Sequence, residues 1–419
     1  MDLKRKTMMK KFFCMMLLAG FLTGCSNDDD GARPKERKII ELSRSEQVMT
    51  EETTDFAFRF FQQVNASEKE QDNWMISPLS ASMALGMMTN GSAGNTLAEM
   101  KATLGFSEAN IDEMNAYYRR LLTELPDLDN TTQLRLANSI WIGNGFEVKS
   151  PFVDVNKQMY DAKVSNLDFS SPKAPSTINN WCSDKTNGRI TEVIQEISPA
   201  AKMFLLNALY FKGIWLEDYK FDKSKTQDED FTNADGSVTK VKMMNQTNSY
   251  AFNYNDYFWM AKFNYGNCAY SMTILLPDTD HTLDECLEAM TAENWEKWNK
   301  DWTLRTLIVK MPRFEMEYNK SLIEDMKALG MKDAFDPFLA DFSNISDQSL
   351  FLDLLKQFTY LRVDEEGTEA AAVTIGGMVE TAPPPSTGPV EFFLNRPFVF
   401  MINETSTGTV LFMGKVTKF

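Results

Sequence analysis

Residues 365–389 read EEGTEAAAVTIGGMVETAPPPSTGP. The stretch begins with two glutamates and a glycine, continues through small side chains, and ends in a run of prolines. It has neither the 3.6-residue apolar period of a helix nor the continuous apolar run of a buried strand. Segments of this length without regular structure in a compact domain are either functional or disordered, so residues 365–389 are predicted to form such a loop.

The first half of this loop is patterned as a strand that can enter a sheet. Strand side chains alternate between faces, and one face of residues 368–380 carries no charge before Glu380 at its far end. That face comprises Thr368, Ala370, Ala372, Thr374, Gly376 and Met378. Residues 368–380 would span roughly 43 Å, about twice the length of a typical strand. From the residues alone, a flexible, protease-sensitive surface loop is the alternative.

Five further motifs lie along the chain. They are NWMISPLS at 73–80, NW at 180–181 with TNGRI at 186–190, NALYFKGIW at 207–215, RPFVF at 396–400 and LFMGKV at 411–416. Together with EEGTEAAA at 365–372, they resemble in order and separation the motifs of the serpin family, from about residue 50 to the C-terminus. Each motif is weak alone, but all of them in order are very specific.

The resemblance implies an α+β serpin fold with three β-sheets, about nine helices and an exposed reactive-centre loop at about 365–389. It also implies a suicide-type inhibitor of serine proteases. The target protease cleaves the loop and forms an acyl-enzyme. The part of the loop before the cleaved bond, here called the arm, then inserts into the main sheet, and the attached protease is trapped. Before cleavage, a kinetic barrier would keep the loop outside the sheet, so the native state would be metastable. The alternative is a non-inhibitory serpin that acts as a surface binding protein. Such serpins usually carry a bulky or charged residue on the face of the hinge that would enter the sheet, whereas this hinge carries glycine, threonine and alanines.

The resemblance also assigns the hinge and the reactive bond. The hinge comprises Glu365, Glu366, Gly367, Thr368, Glu369, Ala370, Ala371 and Ala372. When Glu365 is counted as one, the seventeenth residue is Thr381, which implies that the bond Thr381–Ala382 is cleaved. Glu380, Val379 and Met378 remain alternatives, because counting backward from the RPFVF motif ends near Ser386. A small residue at the cleaved bond implies an elastase-like protease with a shallow pocket.

Further counterparts belong to the regions called shutter and breach in this family. They are Ser77, Ser80, Asn207, Trp215 and Gln357. Gln357 stands where the family has a histidine. Because an amide side chain both donates and accepts hydrogen bonds, we expect the polar network around it to persist.

The N-terminus predicts a lipoprotein signal. Basic residues at 4–11 precede an apolar run at 12–22 that is too short for a permanent membrane span, and LTGC follows at 22–25. LTGC resembles the lipobox of bacterial lipoproteins, which implies cleavage before Cys25 and acylation of its thiol. The acidic run at 28–30 is similar to the tract that directs lipoproteins to the cell surface in Bacteroidetes.

Three segments are therefore expected. Residues 1–24 form the signal peptide, residues 25–45 the acylated cysteine and a polar tether, and residues 46–419 the serpin domain. The resemblance implies an outer-membrane lipoprotein whose domain lies outside the cytoplasm, on the cell surface or in the periplasm.

Composition excludes several function classes. The net charge of −16 and the lack of a basic cluster beyond the first dozen residues argue against nucleic-acid binding. The single histidine, His281, lies in a predicted turn, and Cys182, Cys268 and Cys286 match no metal or catalytic spacing. We therefore expect no enzyme activity, metal or cofactor. The expected partners are a target serine protease in a covalent 1:1 complex and the membrane through a lipid on Cys25, with the protein itself a monomer.

Apolar periodicity predicts helices in the first third of the chain and strands in the rest, which indicates an α+β fold. The predicted helices are 51–63, 77–89, 96–104, 111–122 and 321–329. The predicted strands are 134–142, 204–211, 257–263, 270–276, 304–312, 398–403 and 409–416.

Overall fold

The computed structural model describes residues 35–69, 72–198, 201–368 and 388–419. None of the helices within these ranges combines the length and apolarity that a bilayer crossing needs. Several predicted site residues lie outside the described ranges. They are Cys25, the hinge residues Glu369, Ala370, Ala371 and Ala372, the bond Thr381–Ala382, and the alternatives Glu380, Val379 and Met378.

Nine α-helices lie in the described part of the chain, in agreement with the predicted number. They are α1 (Arg44–Ser67), α2 (Pro78–Thr89), α3 (Gly94–Leu104), α4 (Ile111–Glu124), α5 (Ser150–Tyr160), α6 (Ala174–Lys185), α7 (Leu283–Ala289), α8 (Ala292–Trp298) and α9 (Ile323–Ala328). The five predicted helices correspond to α1–α4 and α9. Helix α2 begins as predicted, because the Ser77 side chain caps it and Pro78 occupies its first turn.

Fifteen strands complete the described elements. They are β1 (Trp74–Ile76), β2 (Thr132–Gly143), β3 (Lys163–Leu167), β4 (Met203–Ile214), β5 (Gln227–Thr232), β6 (Val238–Tyr254), β7 (Phe258–Asn264), β8 (Tyr270–Pro277), β9 (Thr303–Pro312), β10 (Phe314–Ser321), β11 (Lys356–Asp364), β12 (Gly367–Thr368), β13 (Val390–Phe393), β14 (Phe398–Glu404) and β15 (Val410–Val416). All seven predicted strands are present, as β2, β4, β7, β8, β9, β14 and β15.

The smaller sheet has the strand order β10-β11-β12-β4-β2-β3. Strand β12 pairs antiparallel with β11 on one side and with β4 on the other, so β4 and β11 run parallel. Because β12 contains only two residues, it occupies one end of the space between two much longer strands. Some Cα atoms of β4 and β11 lie within 8 Å of each other, so the two strands are also near neighbours.

The larger sheet has nine strands, eight of them in the order β1-β15-β14-β8-β7-β6-β9-β13, with β5 paired to β6 off this path. Strand β6 holds it together, because its start pairs with β5, its middle with β9 and its end with β7. Two of the three predicted sheets are thus joined into one hydrogen-bonded sheet through this strand of 17 residues.

Helix α2 runs through the main core, and all of its residues except Ala84 are buried. A Cβ atom at Gly86 would lie 2.8 Å from the rings of Tyr118 and 2.8 Å from the hydroxyl of Tyr160, so only glycine fits at this crossing. The burial of this helix explains why its sequence carries no charged residue on any side.

A second apolar cluster lies on the other face of the smaller sheet. Helix α6 contributes Ile178 and Trp181, and the segment after it contributes Ile190, Val193 and Ile194, all packed with Ala208 of β4. Phe358 and Tyr360 of β11 pack against the same cluster. The smaller sheet is therefore covered on both faces where β4 and β11 meet.

The packed part of the chain begins before residue 46, the predicted start of the domain. The capping box of Ser43 and Glu46 starts α1 at Arg44. Ile40 is buried, and its backbone N–H donates to the Ser406 hydroxyl at 3.1 Å. The end of the predicted tether is thus part of the domain, because its few apolar side chains reach the core.

Candidate functional site at the loop hinge

The first residues of the long loop are held between two strands. In β12, Gly367 lies opposite Ile214 of β4 and Asp364 of β11, and Thr368 lies opposite Gly213 and Val363. The loop therefore enters the smaller sheet at the end of the space between β4 and β11. A continuation of the chain in this direction would extend β12 along both strands.

Gly367 is at a position that only glycine can occupy. Its φ angle is +150°, and a Cβ atom there would lie 2.1 Å from the carbonyl oxygen of Gly213. Backbone conformations of this kind strain residues that have a side chain. The glycine in the hinge motif therefore allows the loop to approach the backbone of β4.

We expect Gly367→Ala to destabilise the hinge, because the added methyl group must push β12 away from β4. A strained backbone position costs about 1–3 kcal/mol, and thermal unfolding should show a melting temperature lower by several degrees. Gly388→Ala is the matched control at the other end of the loop, because a Cβ atom at Gly388 meets no heavy atom within 4 Å. Equal melting temperatures for the two variants would contradict the described seating of Gly367.

Thr368 is fully buried, and its hydroxyl lies 2.6 Å from the hydroxyl of Tyr265. The Tyr265 ring stacks on Trp215, with ring centroids 4.6 Å apart and an interplanar angle of 11°. The indole N–H of Trp215 donates to the carbonyl oxygen of Asp364 at 3.0 Å. Burial raises the pKa of the Tyr265 hydroxyl, so it stays neutral and forms a hydrogen bond rather than a charge contact.

Glu365 is an almost fully buried carboxylate at the start of the hinge. It accepts hydrogen bonds from the guanidinium of Arg313, with the Nε atom 2.8 Å from each carboxylate oxygen, and from the hydroxyl of Thr226. Burial alone would raise the pKa of Glu365, but these hydrogen bonds and the charge of Arg313 outweigh it and hold the pKa below its usual value. Next to it, Glu366 forms an ion pair of 3.1 Å with Lys223.

A second polar group, the shutter network, lies further along β4. It consists of Ser77, Ser80, Asn138, Asn207 and Gln357. The Ser80 hydroxyl donates to Asn207, which donates to Asn138 at 2.7 Å. The Gln357 side chain accepts from the Ser77 N–H at 2.9 Å and donates to the Ser77 carbonyl oxygen at 2.7 Å. The amide at 357 thus links β11 to the start of α2.

The structure brings the predicted site residues together in two places. Ser77, Ser80, Asn207 and Gln357 belong to the shutter network, whereas Trp215 lies at the end of β4 beside Gly367 and Thr368. The sequence analysis missed Tyr265, which lies just after β7, and Arg313, which lies between β9 and β10; both contact the hinge. No local motif identifies them, because each reaches the hinge through strand pairing that is distant in sequence.

The cysteines of the described ranges are free thiols. Cys182 and Cys286 are buried, and burial raises the pKa of each thiol to about 12. His281 lies in a turn, with its ring 5.0 Å from that of Tyr257. Neither thiol supplies a thiolate nucleophile at neutral pH.

The fold is thus a mixed α+β domain in which the last described residues before a long loop pair with two parallel strands of the smaller sheet. The family model described as Serpin (serine protease inhibitor) matches residues 51–419. The chain belongs to the serpin family, and the predicted α+β serpin fold is confirmed.

Individual relatives agree with this assignment. Antithrombin-III of Bos taurus is 31% identical over 392 residues, which cover 91% of this chain and 82% of the relative. Heparin cofactor 2 of Oryctolagus cuniculus is 33% identical over 374 residues, which cover 86% of this chain and 75% of the relative. The native structure of the thermophilic serpin Tengpin superposes with a TM-score of 0.80 at 30% identity, covering 93% of this chain and 98% of Tengpin.

Proposed function

We propose that this chain is a suicide-type inhibitor of serine proteases, in which a cleaved loop arm inserts between β4 and β11. The observation that supports this most directly is the seating of Gly367 and Thr368 as β12 between these two strands, with the Thr368 side chain buried. The part of the arm that must enter first is therefore already in place.

The register of β12 suits insertion of the whole arm. If the antiparallel pairing with β4 continues one residue at a time, Met378 arrives opposite Met203, the first residue of β4. The same continuation brings Thr374 opposite both Asn207 of β4 and Gln357 of β11. A threonine hydroxyl at this level would meet the two amide side chains of the shutter network, so its burial would be matched by hydrogen bonds.

The proposed reaction begins as ordinary proteolysis. The serine hydroxyl of the protease attacks the carbonyl carbon of Thr381, the bond to the Ala382 nitrogen breaks, and the new amine of Ala382 takes up a proton. An ester then joins Thr381 to the protease. Insertion of the arm along β4, about 40 Å for 12 residues, carries the protease away before water hydrolyses the ester.

The small side chains on both sides of the proposed bond favour an elastase-like target, because a shallow pocket accepts Thr381 and rejects long charged residues. Glu380, Val379 and Met378 are the alternative positions, and the prolines at 383–385 are placed on the exit side because proline cannot donate to a sheet. The partner is the protease in a covalent 1:1 complex, and the inhibitor itself is proposed to be a monomer.

The proposed location follows from the N-terminal motif. Acylation of Cys25 would anchor the domain to a bacterial outer membrane through residues 26–34, with the domain in the periplasm or at the cell surface. Anchoring would confine the inhibitor to proteases that reach that membrane.

Mixing the protein with an elastase at increasing molar ratios tests the proposal. We expect a 1:1 complex that resists SDS, and mass spectrometry of the released C-terminal fragment should give a peptide that begins at Ala382. Elastase with its active-site serine blocked is the control, and it should form no such complex. If the protein is simply cleaved at every ratio, the inhibitory function is wrong and the non-inhibitory binding protein is the better assignment.

A further inference from the structure

A solvent-open cavity of about 440 Å³ lies on the larger sheet, where the end of β15 meets the start of β14. Among the described side chains that line it are three cations. Lys69 follows α1, Arg396 precedes β14, and Lys415 belongs to β15. Cations from three separate elements therefore converge on one cavity, in a protein whose net charge is −16.

Lys415 is a buried ammonium group with weak contacts. The residue is only 6% exposed. Its Nζ atom lies 3.4 Å from the Oδ1 atom of Asn65 and 5.6 Å from the ring centroid of Trp74, and no carboxylate of the described residues forms an ion pair with it. Burial lowers the pKa of Lys415 more than the nearby carboxylates raise it. An anion in the cavity would supply the missing counter-charge.

The carboxylates around the cavity do not neutralise its cations. Asp72 and Asp284 line it, and the other described anionic neighbour of Lys415 is Glu68. Asp72 lies 3.4 Å from the Nζ atom of Lys418, and Glu68 is paired with Lys320, so both already have a cation of their own. An excess of positive charge therefore remains at the cavity.

Arg396 supplies a donor group with a fixed orientation. One of its Nη atoms donates to the carbonyl oxygen of Pro277 at 3.0 Å, which leaves the remaining N–H groups of the guanidinium for another acceptor. Burial lowers the pKa of Arg396 against the charge of nearby Asp278, but a guanidinium stays charged in proteins. A planar guanidinium can bind two oxygens of one phosphate group at the same time.

We propose that the cavity lined by Lys69, Arg396 and Lys415 binds a phosphate group, either as free phosphate or as part of a small phosphomonoester. The charge of a phosphomonoester, about −1.5 to −2 at pH 7, matches the excess of cations. The cavity volume lies within the roughly 300–1,000 Å³ of small-molecule sites, so it has room for a small organic group beside the phosphate. The inference is independent of the proposed function, because none of these side chains belongs to the hinge or to the shutter network.

Thermal unfolding of the uncleaved protein tests the site. Melting temperatures are measured at pH 7.5 in sodium chloride, in inorganic phosphate and in glycerol phosphate at equal ionic strength. A ligand that binds only the folded form raises the melting temperature with its concentration. Phosphate salts also stabilise proteins in general, because they are excluded from protein surfaces. The difference between the wild type and its variants is therefore the readout.

The variants change the charge of the cavity in both directions. We expect Arg396→Gln to weaken phosphate binding about tenfold and Lys69→Gln, whose side chain is exposed, to weaken it about threefold. Asp284→Asn should tighten binding, because it removes a carboxylate that acts on Lys415. Lys240→Gln is the matched control, since it removes an exposed lysine of β6 outside the cavity and should bind as the wild type does.

The two phosphate compounds distinguish the sources of the phosphate group. Binding of either compound, weakened by Lys69→Gln and tightened by Asp284→Asn, supports the site, and the compound that binds more tightly identifies the form of phosphate that it takes. Equal rises in melting temperature for the wild type, Lys69→Gln and Asp284→Asn would overturn the inference, because phosphate would then act only through exclusion from the surface. A loss in Lys240→Gln as large as that in Lys69→Gln would also overturn it, since any surface lysine would then serve.

Discussion

Thr368→Arg is expected to convert the proposed inhibitor into a substrate of its target protease. The side chain at 368 is fully buried, and its hydroxyl touches Tyr265, whose ring also fills the space beside Gly213. A guanidinium there would be buried without a charged partner, which costs several kcal/mol. We expect the variant to keep residue 368 out of the sheet before cleavage, so that insertion must then bury the guanidinium and is slower than hydrolysis of the acyl-enzyme. The number of inhibitor molecules consumed per protease should rise at least about tenfold, and the SDS-resistant complex should disappear.

Two variants control this experiment. Thr368→Ser keeps a small hydroxyl and should inhibit as the wild type does. Glu369→Arg puts the same guanidinium on the neighbouring residue, where the opposite face of the arm already carries a charge. If Glu369→Arg abolishes inhibition as fully as Thr368→Arg, the alternation of faces along the arm does not govern insertion.

Arg313→Met is expected to destabilise the native state in a way that depends on pH. It leaves the buried carboxylate of Glu365 without its cation, at a cost of about 2 kcal/mol in the free energy of unfolding at pH 7. This is less than the roughly 3–5 kcal/mol for a fully buried pair, because the Arg313 side chain is 42% exposed. Urea unfolding of the wild type and of Arg313→Met at a series of pH values measures this loss in the free energy of unfolding.

The sign of the pH dependence follows from the pKa of Glu365. In the wild type this pKa is below its ordinary value of 4.5, so the stabilisation is present above pH 4.5 and is lost as the pH falls through the lowered pKa. In Arg313→Met burial should instead raise the pKa of Glu365, so protonation on acidification relieves the destabilisation. The two stability curves should therefore converge as the pH falls from 7 to about 4.

The double variant Arg313→Met/Glu365→Gln removes the buried charge as well, and most of the lost stability should return at pH 7. A constant difference between wild type and Arg313→Met across this pH range would contradict the proposed charge contact. It would point to lost packing of the arginine side chain instead.

The sequence predicted those parts of the fold that are encoded locally. Ser77 and Pro78 predicted the start of α2, and the strand-like apolar run at 204–211 predicted β4. By contrast, β6 has polar side chains such as Asn245 and Gln246 at positions that pair with β9, so its burial pattern depends on neighbours far along the chain. Helix α6 was missed because its apolar residues, such as Ile178 and Trp181, are few and cover only the small second cluster.

The candidate site shows the same division. The hinge motif and the residues of the shutter network could be located by resemblance, because their order along the chain is distinctive. Tyr265 and Arg313 could not, since a tyrosine after one strand and an arginine before another are ordinary in any sheet protein. Their importance arises only when the sheets place them beside Thr368 and Glu365. The exact end of the tether was likewise hidden, because Ile39, Ile40 and Leu42 are a few apolar residues without a period in a polar segment.

The amide at 357 has a consequence for the pH range over which the proposed inhibitor stays active. Every side chain of the shutter network is a hydroxyl or an amide, and none of these groups gains or loses a proton between pH 5 and pH 8. A histidine at this position would make the link between β11 and α2 sensitive to mild acid. With Gln357 at this position, the half-life of the active, uncleaved form is expected to be the same at neutral and at mildly acidic pH.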